Sequence, residues 1–290
     1  MSRAAQGRGP LGRLAGQLRG QISDADERPP ARTAILIVNG FDRHSKNPFE
    51  VEEAARFPWI RLCLQQVERF TPEWEYQILV WDNSFLPEHS EILEASPRVT
   101  IFSEREKQKD VRHGRALDRL MQEIPEGVEY VITLDTDSFP IRHGWLDNLI
   151  GRLDEGAAIA GIWRNEMSPH INPYVHPSCL AARIDTLREL GVQFARNADD
   201  PGLDVGQALT EAALRSHRRV SRLYRSNVRN VHYLMGGVYG DLMYHHGAGS
   251  RRALFWTGFT VEAEDTIRVA LRDASFSDLD GLLNFLTGND

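Results

Sequence analysis

The sequence predicts an α/β fold: a central, mostly parallel sheet flanked by helices. Three observations carry this. Thr33-Ala34-Ile35-Leu36-Ile37-Val38-Asn39 is a nearly unbroken apolar run, the pattern of a strand buried on both faces. Similar runs recur at residues 76–81 and 130–134. Segments with apolar residues at helical spacing separate them, and strands alternating with helices imply parallel pairing through right-handed crossovers.

The first 32 residues stand apart from this pattern. Arg3, Arg8, Arg13 and Arg19 precede the first acid, Asp24, and glycine and proline are frequent. The expectation is a flexible basic arm over residues 1–32. Leu11, Leu14, Leu18 and Ile22 nevertheless fall at helical spacing, so a short amphipathic helix making weak peripheral contact with an anionic membrane is the alternative to a solvated tail.

After the first strand, residues 40–58 read as a loop. A helix over Trp59–Phe70 follows, with Ile60, Leu64 and Val67 on one face. The strand at 76–81 runs into Asp82-Asn83-Ser84. Val99–Phe102 is a short third strand, and residues 112–123 form a helix whose core face is Leu117, Leu120 and Met121. The strand at 130–134 leads into Asp135-Thr136-Asp137, and Ser138-Phe139-Pro140 reads as a turn. A helix over 145–153 and strands over 157–162 and 178–183 come next. Asp204 opens a helix to residue 216, after a loop over 197–202. Strands over 220–224 and 238–244 precede a helical tail after Thr260.

Composition narrows the function. The 290 residues are 41% hydrophobic and 26% charged, an ordinary globular balance, and the net charge of −7 gives nucleic-acid binding no electrostatic support. Cys63 and Cys179 are the only two cysteines and lack metal-site spacing, so a reducing compartment is expected. No apolar run approaches the roughly 18 residues of a membrane span, and the expected location is the cytoplasm. The sequence carries no signal for an oligomeric state.

Asp135 and Asp137 lie at i and i+2 beyond a strand, where alternating side chains can share a face. Two such acids need a cation, and oxygen ligands suit Mg²⁺ or Mn²⁺, which often complete their shell with substrate phosphates. Taken alone, Asp-x-Asp is as readily a loop start or a helix cap. Position decides: Asn39, Asp82 and the acid pair all stand at the carboxyl ends of parallel strands, where such sheets bind ligands.

In this order the features resemble a glycosyltransferase of the GT-A fold, close to the family 2 type, over roughly residues 33–250. The resemblance rests on the first strand, Asp82, Arg112-His113-Gly114-Arg115-Ala116-Leu117, Asp135-Thr136-Asp137 and Tyr244-His245-His246-Gly247. It implies a donor-binding half at 33–140, an acceptor half at 141–260 and a helical extension at 261–290.

It also implies residue roles. Asp82 contacts the donor base and Asn39 lines the same pocket. Gly114 admits close approach of the donor, and Arg112 offers a cation. Asp137 binds a divalent metal directly, and Asp135 meets the donor sugar, or the metal through water. A histidine near the end of the domain completes the metal site. His245 and His246 both qualify, and because strand neighbours point oppositely only one is expected to coordinate. Arg251 or Arg252 neutralises the diphosphate. Asp204 is the general base, opening a helix where an N-cap is the plainer explanation. Leu203 departs from the family's usual acidic pair, leaving Asp199 or Asp200 as substitutes.

Trp163, at a strand end, could pack its indole on a sugar ring. Arg164, Asn165, Glu166, His170, Tyr174 and His176 could wall the acceptor site. The implied reaction moves a sugar from a nucleoside diphosphate to an acceptor hydroxyl with inversion. A nucleotidyltransferase is the alternative, although the loop Gly40-Phe41-Asp42-Arg43-His44-Ser45-Lys46 holds one glycine and no repeated pattern. A non-catalytic sugar- or partner-binding domain is the other.

Overall fold

The structure is a computed structural model. It describes residues 31–40, 48–72, 75–84, 86–104, 111–166, 172–195, 203–249 and 260–289. Residues 1–30 of the basic arm lie outside the described residues, as do His170, Asp199, Asp200, Arg251 and Arg252.

The donor-side elements are β1 (Thr33–Asn39), α1 (Pro48–Arg56), α2 (Trp59–Phe70), β2 (Tyr76–Asp82), α3 (Pro87–Glu94) and β3 (Val99–Phe102). Then come α4 (His113–Gln122), β4 (Tyr130–Asp135), β5 (Ser138–Pro140), α5 (Trp145–Asp154), β6 (Ala157–Arg164) and β7 (Tyr174–Arg183). The remainder is α6 (Ile184–Leu190), α7 (Gln207–Arg215), β8 (Arg219–Leu223), β9 (Gly237–Tyr239), β10 (Met243–His245), α8 (Val261–Ser277) and α9 (Leu279–Thr287).

Seven strands form one sheet in the order β3-β2-β1-β4-β7-β6-β8. The first four are mutually parallel, β7 runs antiparallel to both β4 and β6, and β8 is parallel to β6. Alternation along the strands divides the core. Ile35 and Ile37 of β1 face α2 and α5, whereas Ala34 and Leu36 face α4. This is the α/β architecture that the GT-A resemblance implies.

The departures from expectation have local causes. α1 occupies part of the expected loop, and α3 was not foreseen; both are short, and α3 buries only His89 and Leu93. Ser138-Phe139-Pro140 is a strand, not a turn, because it pairs with β10 in a second sheet ordered β5-β10-β9. The strand expected over 238–244 breaks into β9 and β10 at Gly240 and Asp241, both in the left-handed region. Helix α7 starts at Gln207 after left-handed Gly206, so Asp204 precedes the helix rather than capping it. The terminal helices also join the core, through Leu271, Leu282 and Leu286. No described helix is long and apolar enough to cross a membrane.

Candidate active site

Strand register assembles the site. Asn39 pairs with Asp82, and neighbouring Val38 pairs with Asp135, so three polar residues end three adjacent strands in one row. Beyond β4 the chain turns through Thr136 and Asp137 into β5. His245 lies opposite Ser138 in the small sheet, and this pairing carries it to the acids from far along the chain.

Asp135, Asp137 and His245 each offer a ligand atom within 4.8 Å of the others. His245 Nε2 stands 3.8 Å from Asp137 Oδ1 and 4.0 Å from Asp135 Oδ2. These separations exceed a hydrogen bond but are less than twice a metal–oxygen bond of about 2.1 Å, the spacing of ligands around a shared ion. Burial, reinforced by the nearby Arg164 guanidinium, holds His245 well below its ordinary pKa, so the ring is neutral as a ligand must be. Two carboxylates and a neutral imidazole fit Mn²⁺ or Mg²⁺.

The loop after β10 braces the acid turn. The Asp137 carbonyl accepts the His246 N–H at 2.9 Å, and Asp137 Oδ2 accepts the Gly249 N–H at 2.8 Å. From below, the buried Cys63 thiol donates to the Ser138 carbonyl at 3.4 Å. Burial and the two carboxylates push that thiol's pKa up, which makes it a packing group and not a nucleophile.

Behind the site, Arg164 Nη1 donates to His245 Nδ1 at 3.1 Å, and its Nε pairs with Glu166 at 2.7 Å. Glu166 in turn accepts the Tyr239 hydroxyl at 2.6 Å. A guanidinium only donates, so Nδ1 accepts here and the ring proton sits on Nε2. Offering the Nε2 lone pair to an ion requires that proton to pass to Nδ1 and the Arg164 bond to open.

Two further histidines approach Asp135. His113 Nε2 lies 3.4 Å from Oδ1, and His176 Nδ1 lies 3.9 Å from Oδ2. His113 begins α4; burial lowers its pKa to about 4, against the opposing pull of Asp204 and Asp137. Its neighbours Arg112 and Gly114 carry expected roles from the sequence, whereas His113 carries none. An imidazole at a helix start, aimed at a strand end, was the available signal. Arg112 is exposed just before α4. The close approach at Gly114 comes from the chain itself: a Cβ there would meet the Ala195 Cα at 2.6 Å.

On the donor side, Asn39 Nδ2 donates to Asp82 Oδ1 at 2.8 Å, and both residues are 2% exposed. Ser84 adds its N–H and hydroxyl to the same oxygen, at 3.0 and 2.7 Å. His89, also missed from sequence, lies 3.2 Å from the Asn39 amide through Nδ1 and 3.1 Å from the Ala54 carbonyl through Nε2.

On the acceptor side, Asp204 Oδ2 accepts the Tyr174 hydroxyl at 2.8 Å. Trp163 does not face this space. It is 7% exposed, packed in the core on the α4 side, with Arg222 4.1 Å over its ring. The pairing of β6 with β7 shifts between Gly161 and Trp163, and a Cβ at Gly161 would meet the Cys179 carbonyl oxygen at 1.9 Å. Plain alternation along β6 sets Trp163 on the same core face as Ile159, and Arg164, on the opposite face, takes the place beside His245. His246 likewise points away: its ring lies 4.5 Å from Trp59, and burial lowers its pKa to about 3.

No protein-family model matches the sequence, and no curated protein matches it. Among solved structures, the chain is similar to a protein assigned as a nucleotide-diphospho-sugar transferase from Desulfovibrio desulfuricans G20. The identity is 14% and the TM-score 0.43, with 67% of this chain and 80% of that one covered. It is similar to S. aureus TarS 1–349 at 14% identity and a TM-score of 0.45, over 86% of this chain and 74% of that one. It is also similar to the 4-diphosphocytidyl-2C-methyl-D-erythritol synthase from Anaerococcus prevotii DSM 20548. There the identity is 11% and the TM-score 0.44, covering 83% of this chain and 96% of that one.

Proposed function

We propose that the chain is a metal-dependent glycosyltransferase of the GT-A type, moving a sugar from a nucleoside-diphosphate sugar to an acceptor hydroxyl with inversion. The observation that carries this reading is the Asp135–Asp137–His245 cluster, set in one strand-end row with the buried Asn39–Asp82 pair. In this reading residues 33–140 hold the donor, residues 141–260 the acceptor, and the helices after residue 260 brace both.

Asn39 and Asp82 bind the donor base, and Asp135 orients the sugar. Asp137 and His245 would hold Mn²⁺ or Mg²⁺, which when bound would supply stabilisation of the charge developing on the leaving diphosphate. Asp204 accepts the acceptor's hydroxyl proton as the new bond forms on the opposite face of the sugar. General-base help of this kind is worth roughly 10²–10⁴-fold in rate. Cys63 and Cys179, both free and buried, support a reducing, cytoplasmic setting.

The test supplies Mn²⁺ with UDP-, GDP- and dTDP-sugars and a broad acceptor panel, and follows release of the nucleoside diphosphate. Metal-dependent release for one donor, abolished by Asp137→Ala, is expected. Pyrophosphate release from a nucleoside triphosphate would instead identify a nucleotidyltransferase, and no turnover of any donor would leave a binding domain.

A further inference from the structure

Tyr174 opens β7 with no solvent exposure, and its hydroxyl donates to Asp204 Oδ2 at 2.8 Å. The other carboxylate oxygen, Oδ1, accepts the backbone N–H of Val205 at 2.8 Å. Buried Gln207 fixes the residue's backbone, its Oε1 accepting the Asp204 N–H at 3.0 Å. A short side chain tied at both oxygens and at its own amide has one orientation. Helix α7 does not supply it, since α7 begins beyond Asp204.

We propose that Tyr174 is the positioning residue of the catalytic base: its hydroxyl aims Asp204 Oδ2 at the acceptor hydroxyl and keeps that carboxylate ionised. This rests on the reading of Asp204 as the base. Tyr174 is a donor only. Burial, then the Asp204 charge, raise its pKa well above the ordinary value, so the phenol keeps its proton throughout the working range. Its ring also sets distance. Tyr174 and His176, two residues apart on β7, have ring centroids 5.6 Å apart, and His176 stacks on His245 at 5.6 Å. One strand therefore spaces the base from the metal ligand. Among the described residues, His113 from α4 and Arg164 from β6 also couple by charge to Asp204. Neither is displaced by trimming one hydroxyl.

Tyr174→Phe keeps the ring and its stacking and removes only the donor. The readout is the carboxyl ¹³C titration of Asp204 in the full chain, assigned by its loss in Asp204→Asn. A carboxylate stripped of a hydrogen-bond donor titrates higher, and a rise of about one pH unit, ten-fold in proton affinity, is expected. An unchanged midpoint in a folded Tyr174→Phe protein would overturn the proposal. Replacing tyrosine by 3-fluorotyrosine, a stronger donor, should move the midpoint down, and it provides the test if the phenylalanine variant does not fold. Full sugar transfer by Asp204→Asn would remove the base reading instead, whatever the titration gives.

Discussion

Gly249 is the residue on which the geometry of Asp137 turns. Its N–H holds Oδ2 at 2.8 Å, and a Cβ added there would lie 2.6 Å from the Asp137 Cβ and 2.7 Å from Oδ2. Nothing at that distance can be accommodated without moving the acid. Gly249→Ala should weaken Mn²⁺ binding about ten-fold, near 1.4 kcal/mol, as measured by the electron-spin signal of free Mn²⁺. Equal affinity would show that Asp137 tolerates the shift. At this scale the sequence is partly legible. The acid pair stands out because an apolar run ends in two carboxylates; strand alternation says that only one of His245 and His246 can join it, and which one is set by the pairing of β10 with β5. His113 and His89 do not stand out, since each owes its place to packing against residues distant in sequence. Trp163 is misread because its strand end is packed: alternation sets it on the core face of Ile159 and gives the place beside His245 to Arg164.

Among elements, the least legible are those that depend on remote partners. β5 has three residues, and nothing within Ser-Phe-Pro announces a strand; β10 makes it one. α1 has a similar dependence. Glu53 on that helix takes Arg268 Nη1 and Nη2 of α8 at 2.5 and 3.1 Å, and Arg272 Nη1 at 2.6 Å. Burial raises the Glu53 pKa, but the two arginines outweigh it and hold the carboxyl below its ordinary value near 4.5. A depressed carboxylate stabilises the fold fully above that ordinary value, and the contribution is lost as pH falls through the folded pKa. Glu53→Gln should therefore cost about 2 kcal/mol near pH 7, where it leaves buried Arg268 and Arg272 with only Asp265 and Asp273 as anionic partners. The loss should shrink toward pH 3. Thermal unfolding at both pH values checks this, and an equal cost at each would remove the ion pairs as its cause.

At the scale of the whole chain, the order of strands and helices is the most legible property, because burial on both faces of a parallel sheet writes long apolar runs. The small sheet is not written that way, as its strands are three residues each. The basic arm belongs to this scale too. If its leucines and arginines meet an anionic membrane, the full chain should co-sediment with phosphatidylserine vesicles and a chain lacking residues 1–30 should not. Equal sedimentation of the two would end that idea.

The pairing of His245 with Ser138 also bears on how the protein is made. A ribosome emits the two acids more than a hundred residues before the histidine that joins them. Until β10 clears the exit tunnel, β5 has no partner and the cluster has only its carboxylates. The three side chains of the cluster thus come together only late in synthesis. A chain cut short before residue 245 leaves the sheet's acids exposed without their imidazole.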